Sequence, residues 1–356
     1  MKNNITITQR PYKYLTNSER TNSIIILSFL LPQILLLALT KSWNALLVIF
    51  CTTFSNVLIE FIEKRFIKKS SYDYISAVIN GILTGLFLPQ NFPLVAVIII
   101  SFTTVFICRF FVGNLADSWI NSSALTVCIL WILGMKLFPS YQITHEILLS
   151  KNPALSLIQN GTFPTLSFDT QVTSFFNRTI FKNFGVSIPD GYISLFWDTH
   201  SAVPAFRFNF ITLLTSVVLF SLDVLKPLVP GIFILVYSVL VYFVGPLFYS
   251  GGTVVQGDLL LALCTSGILL SALFLLQSAG KNPMTLFGKI LYAFLAGITA
   301  FFVIGAGTSP SGAVFTVLAM NVISLVIQNI EHYLEMRHIK NQLLPRVKKF
   351  KEGIDA

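Results

Sequence analysis

Hydroxyl- and amide-bearing side chains stand inside otherwise apolar runs of this sequence, among them Asn56, Asn80, Thr84, Thr103, Thr104, Thr265, Ser266 and Asn321. At membrane depth such groups do one of two things, hydrogen-bonding across helices or coordinating a hard cation through oxygen. Both readings stay open from the residues alone. Acids and bases are sparser, and Glu60, Asp73, Arg109, Lys136, Arg207, Asp223 and Asp258 all fall at or near the ends of apolar runs. There they can reach headgroups or cap helices, and no chain of buried carboxylates for proton relay is visible. Asp73 reads as the N-cap of the helix that follows it. The four cysteines, Cys51, Cys108, Cys128 and Cys264, occupy four different runs without Cys-x-x-Cys spacing, which suggests neither a disulfide framework nor a metal site. His145, His200, His332 and His338 lie outside the runs, too far from membrane depth to hold a haem between helices.

Composition identifies the scaffold that must position these groups. The 356 residues are 54% hydrophobic and only 11% charged, against about 25% charged for a soluble domain. That balance is that of an integral membrane protein. Ten apolar runs approach the ~20 residues needed to cross a bilayer: 22–40, 44–62, 74–89, 91–111, 120–138, 208–224, 228–248, 258–276, 286–305 and 311–330. The expected fold is an all-α integral membrane protein of about ten transmembrane helices in a 5 + 5 arrangement. Its parts are an N-terminal segment 1–21, helices one to five over 22–138, an outer loop 139–206, helices six to ten over 207–331 and a basic tail 332–356. No small-residue cleavage site follows the first run, which reads as an uncleaved helix. The third run is the shortest, ended by the turn "PQNFP" that joins two antiparallel spans. Small residues at helical spacing, Gly81 with Gly85, Ala293 with Gly297, and Gly267 with Ser271, predict close helix contacts. No internal repeat is legible, although five spans per half would allow an inverted pair.

The charge pattern orients the chain. The net charge is +9, and of the 24 Lys and Arg all but Lys41, Lys136, Lys151, Arg178, Lys182 and Arg207 fall on one side if the termini share it. The positive-inside rule then puts both termini in the cytoplasm and the loop 139–206 outside a cytoplasmic (inner) membrane. Anionic lipid accounts for the basic balance without a nucleic-acid partner. In the outer loop Phe175, Phe176, Phe184, Phe196 and Trp197 favour packing onto the bundle.

Five stretches carry a family resemblance. "DYISAVINGILTGLFLPQNFP", "FFVGNLADSWINSSAL", "GDLLLALCTSGILLSALFLL", "GKILYAFLAGI" and "SPSGAVFTVLAMN" resemble, in order and spacing, the RnfD membrane component of the Rnf electron-transport complex and the NqrB membrane component of the sodium-translocating NADH:quinone oxidoreductase. The resemblance implies ten membrane helices in a complex that moves electrons between carriers and couples this to cation movement, with other membrane subunits and the lipid bilayer as partners. It also implies a flavin, FMN or riboflavin, and makes Asn80, Thr84, Asn121, Thr173, Phe176, Thr179, Thr265 and Ser266 the candidate cofactor-side residues. In the family an FMN is esterified through its phosphate to a threonine of the outer loop. Here "SFDTQVTSFFNRTIF" puts Phe176 at that position, and a phenyl ring has no oxygen to esterify; Thr173 and Thr179 are the nearby hydroxyls. The expectation is a non-covalent flavin. Further departures put Ser278 near the place of an acid and Ser311 in place of a glutamate, and leave Asn121 without the proline that follows it in the family. The chain has no iron–sulfur or nicotinamide motif and no complete catalytic site, so electrons must enter from other proteins. A non-redox structural subunit on the same scaffold and a solute or cofactor transporter remain as alternatives.

The topology is directly testable. A cysteine introduced at Asn160 is expected to react with a membrane-impermeant thiol reagent added from outside intact cells; labelling only from the cytoplasmic side would reverse the orientation.

Overall fold

The computed structural model describes residues 18–66, 74–112, 119–139, 165–185, 187–245, 247, 259–278, 282–305, 309 and 311–352. Asp73, Asp258 and residues 140–164 of the outer loop lie outside the described residues. Within them the structure is helical, and the helices follow the apolar runs in order. Those of the first half are α1 (Glu19–Leu39), α2 (Trp43–Phe66), α3 (Tyr74–Leu86), α4 (Leu94–Ile107, continued by a π-turn Cys108–Val112) and α5 (Ser122–Leu133). Two short helices, α6 (Asp169–Thr179) and α7 (Tyr192–Phe196), belong to the outer loop. The second half holds α8 (Asn209–Ser221), α9 (Leu228–Val239, continued by a π-turn Leu240–Val244), α10 (Leu259–Thr265), α11 (Ile268–Leu270, continued by a π-turn Ser271–Leu275), α12 (Leu286–Ile304) and α13 (Gly312–Glu352).

Five of these stretches are long and apolar enough to cross a membrane: Glu19–Leu39, Trp43–Phe66, Leu94–Val112, Leu286–Ile304 and Gly312–Arg337. The apolar helices Tyr74–Leu86, Ser122–Leu133, Asn209–Ser221 and Leu228–Val244 are shorter, and the eighth run is split into α10 and α11. At 1.5 Å per residue, the 13 residues of α3 reach roughly 20 Å, well under the ~30 Å of hydrocarbon. Non-helical backbone at such depth survives only inside protein. Phe87 and Leu88, which follow α3, are accordingly buried. The tenth helix exceeds its run and continues through most of the sequence read as a tail, because 331–344 holds Glu, Leu, Met, Lys and Gln without glycine or proline.

The packing repeats between halves. α2 lies on α4 as α9 lies on α12; α4 lies on α5 as α12 lies on α13; α1 meets α3 as α8 meets α11. α3 touches α5 as the π-turn after α11 touches α13, and the halves join through the corresponding pairs α1 with α8 and α5 with α13. On the topology the sequence predicts, five crossings separate each helix from its counterpart, which runs the second half inverted relative to the first. The matching sequence becomes visible once the equivalence is known: Gly81-Ile82-Leu83 then Leu86-Phe87-Leu88 answer Gly267-Ile268-Leu269 then Leu273-Phe274-Leu275.

Two of the three small-residue pairs sit on one helix face at a helix contact. A Cβ on Gly85 would lie 2.6 Å from the Ile49 Cα, one on Gly81 would collide with the Thr53 backbone, and one on Gly297 would lie 2.6 Å from the Val236 Cβ. Thr52 Oγ1 uses the close approach of α2 and α3 to donate to the Gly81 carbonyl at 2.8 Å. The third pair is a correction. Gly267 does not share a helix face with Ser271; it adopts φ +67° between α10 and α11, where glycine alone carries no Cβ penalty.

Gly85→Leu is expected to overpack the α2–α3 contact and cost about 1–3 kcal/mol. Thermal unfolding in detergent reads this as a lower Tm, and an unchanged Tm would remove α2 from that contact.

Candidate functional site

Three non-helical segments converge on Gly267. A Cβ there would lie 2.6 Å from the Phe206 ring, in the 3-10 turn before α8, and 3.1 Å from the Phe87 ring, just past the end of α3. The third, fifth, sixth and eighth runs all depart from plain long helices, and three of them break off here. Their freed backbone groups are met internally. The Asn209 carboxamide, buried at the start of α8, donates to the carbonyls of Phe206 and Cys264, both at 2.9 Å, and to Leu195 at 3.4 Å. Thr265 and Ser266, at the break itself, donate back to Leu261 (2.7 Å) and Ala262 (2.6 Å). Their protons are spent on backbone; only their oxygen lone pairs face away from those bonds.

A second polar set joins α3, α5 and the end of the split helix. Thr84 Oγ1 donates to the Asn80 carbonyl (2.7 Å), and Ser123 Oγ donates to the same carbonyl (3.0 Å). Asn121 caps α5, accepting from Ser123 N and Ala124 N, and its amide donates to the Leu275 carbonyl (3.2 Å) and Ser278 Oγ (3.3 Å). Ser278, where the family has an acid, thus supplies a neutral acceptor to Asn121. Among the other polar positions, Asn56 donates to Thr52 O at 2.9 Å, while the buried Asn321 amide has no partner among the described residues.

The outer-loop candidates form a third set. Asp169, buried in the first turn of α6, accepts from Gly191 N (2.8 Å), Ser194 N (2.7 Å), Ser194 Oγ (2.5 Å) and Thr173 Oγ1 (3.0 Å). Asn177 pairs both ways with Ile188, donating at 2.8 Å and accepting at 2.9 Å. These bonds clamp α6 onto α7 and leave Phe175, Phe176 and Thr179 on its open side. α7 in turn packs on α10, which ties the loop to the half-helix that ends at the break. The structure brings Thr265 and Ser266 together, and Asn80, Thr84 and Asn121 together, and holds Thr173, Phe176 and Thr179 on one separate helix.

Sequence reasoning missed two charged centres. Glu60 and Arg109 do not reach out to headgroups: Arg109 Nη2 meets Glu60 at 2.5 Å and Nη1 meets Glu63 at 2.6 Å, with Lys64 3.2 Å from Glu60, and Glu60 is wholly buried. α2 continues to Phe66, one turn past its predicted end, and the π-turn carrying Arg109 brings the guanidinium to it. Lys64 also sits 3.7 Å over the Tyr74 ring, fastening the start of α3. The other centre is Arg207, taken up below. Glu60 and Glu63 stand one helical turn apart, which could have signalled a shared face, but nothing local names Arg109 as their partner.

Two halves with matching helix contacts, a broken helix and a clamped outer loop define a multi-pass membrane protein with its polar groups gathered between helices. The chain belongs to the NQR2, RnfD, RnfE family, which it matches over residues 6–339. The family consists of membrane subunits of ion-translocating electron-transport complexes. No curated protein matches the chain significantly. On the outer helix position 176 is a phenylalanine and the Thr173 hydroxyl is buried and bonded to Asp169, which leaves Thr179 as the exposed hydroxyl of the two. The Phe175 and Phe176 rings are exposed, with centroids 5.8 Å apart at 72°.

Asn209→Leu keeps the volume but strips the break of its shared donor. A loss of about 1–3 kcal/mol is expected from the unpaired carbonyls, measurable as a fall in Tm of the detergent-solubilised protein; parity with the parent would mean that the break satisfies itself.

Proposed function

We propose that this chain is an Rnf-type subunit of an ion-translocating electron-transport complex that holds a flavin, FMN or riboflavin, without a covalent bond. The observation that carries this reading is the clamped helix α6. Its Asp169 and Asn177 bonds spend polar side chains on fixing the backbone, and its open side offers two adjacent aromatic rings. An isoalloxazine stacks on such faces without an ester, and bound flavin supplies the ability to accept and pass on electrons singly or in pairs. Phe175 and Phe176 bind and orient that ring. The Asp169 clamp keeps them in place, and the polar sets at Asn80 and Thr265 hold the helices of the membrane layer together. Family membership supports a redox partner complex, with electrons supplied and removed by other membrane subunits.

The decisive measurement pairs an absorbance spectrum with intact mass, on protein from a flavin-replete host. Purified protein is expected to be yellow, to release all of its colour on acid precipitation, and to keep the mass of its unmodified sequence; Phe176→Ala is expected to lower flavin occupancy severalfold. An FMN-sized mass increment surviving denaturation would overturn the non-covalent reading. Colourless protein that still co-purifies with other membrane subunits would instead identify a structural subunit on the same scaffold.

A further inference from the structure

A cavity of about 440 Å³ opens where three connections meet: the turn from α1 to α2, the turn from α3 to α4, and the segment 198–207 that leads into α8. Lys41 and Trp43 line it from the first, Gln90 from the second, and Thr199, His200 and Arg207 from the third. All three belong to the face predicted to lie outside.

Arg207 is only 2% exposed. Its Nε donates to the Ser201 carbonyl (2.7 Å), Nη1 to Ser42 Oγ (2.6 Å) and Nη2 to Gln90 Oε1 (3.1 Å). Every one of these acceptors is neutral, and no carboxylate of the described residues comes within 4.0 Å of the guanidinium. Asp198, whose charge acts on Arg207, directs its oxygens to the backbone N–H groups of His200 (2.8 Å) and Ser201 (3.2 Å). Burial lowers the Arg207 pKa from the usual arginine value, and Asp198 offsets part of that shift. A buried cation whose direct partners are all neutral is costly, and three bonds leave two of its five N–H donors unspent. Lys41, exposed on the opposite turn, is a second basic side chain in the wall with no carboxylate of the described residues within 4.0 Å. The first residues of α2 also line the cavity, adding the positive end of a 24-residue helix.

We propose that this pocket binds the phosphate group of an organic molecule. Donors from Arg207 and Lys41 reach the space from different connections. A tetrahedral oxyanion accepts from several directions at once, whereas a planar carboxylate is satisfied by one bidentate guanidinium contact. The volume exceeds that of a bare phosphate, and the indole of Trp43 borders the surplus, so the ligand carries an organic part. Two sources share that chemistry: a soluble phosphate monoester and a phospholipid headgroup.

The test uses full-length protein in a zwitterionic detergent, titrated calorimetrically with glycerol 3-phosphate and, separately, with short-chain phosphatidylglycerol, each against sodium chloride at matched ionic strength. Saturable binding of glycerol 3-phosphate supports a soluble ligand, and saturable binding of the lipid alone supports a headgroup. Lys41→Asn, which keeps a residue tolerant of the left-handed φ of 56° at that position, is expected to weaken whichever binding is seen about tenfold, the usual cost of one charge-assisted contact. Arg207→Gln is expected to abolish it, and because that side chain also braces the three connections, Lys41→Asn keeps the test valid if the Arg207 variant does not fold. Binding of neither ligand above the salt control, or unchanged affinity in Lys41→Asn, overturns the proposal.

Discussion

Backbone N–H and C=O groups within a bilayer have no water to bond, and the rest of this structure depends on how those groups are paired where helices stop. α3 ends after 13 residues and the eighth run parts at Gly267, while α12 runs 19 residues before Gly305 at φ +65°. Several helix ends have a partner from elsewhere. Asn209 serves the carbonyls around the break, Asn121 serves the start of α5 and the Leu275 carbonyl, and the buried Tyr237 hydroxyl donates to the Gly305 carbonyl at 2.9 Å. Most of the buried polar side chains are thereby explained as backbone partners before any ligand is considered.

The two halves share a packing pattern but differ at the equivalent glycines. Gly81 lies within a continuous helix pressed on α2, whereas Gly267 turns the chain beneath the Phe206 and Phe87 rings. The inverted repeat is therefore one of contacts more than of local conformation. Charge holds the two ends of the bundle in different ways. At the end predicted to be cytoplasmic, Arg109 closes on two glutamates in a compact buried cluster. At the opposite end Arg207 spans three connections through neutral acceptors.

The departures from the family pattern acquire a physical sense in this setting. Ser278 accepts from Asn121, so the pair links α5 to the split helix without a buried charge. Asp169 and Asn177 keep the outer helix in place, with Phe176 on its open side.

The all-α membrane class, the positions of the runs, a close helix contact at Gly81 and Gly85 and the family were all legible in the amino-acid order, because hydropathy, small-residue spacing and motif order are local properties that each segment carries alone. Asn80, Thr84, Asn121, Thr265 and Ser266 were legible as polar sites too, with their roles open between bonding across helices and cation coordination. Their bonds came only with the packing: Thr84, Thr265 and Ser266 donate to carbonyls one turn back in their own helices, whereas Asn121 reaches Leu275 and Ser123 reaches Asn80 from another helix. The break at Gly267 was illegible for the same reason. A Ser-Gly step inside an apolar run is compatible with an unbroken helix, and what makes it a break is the ring of Phe206 and the amide of Asn209, brought there from beyond the outer loop.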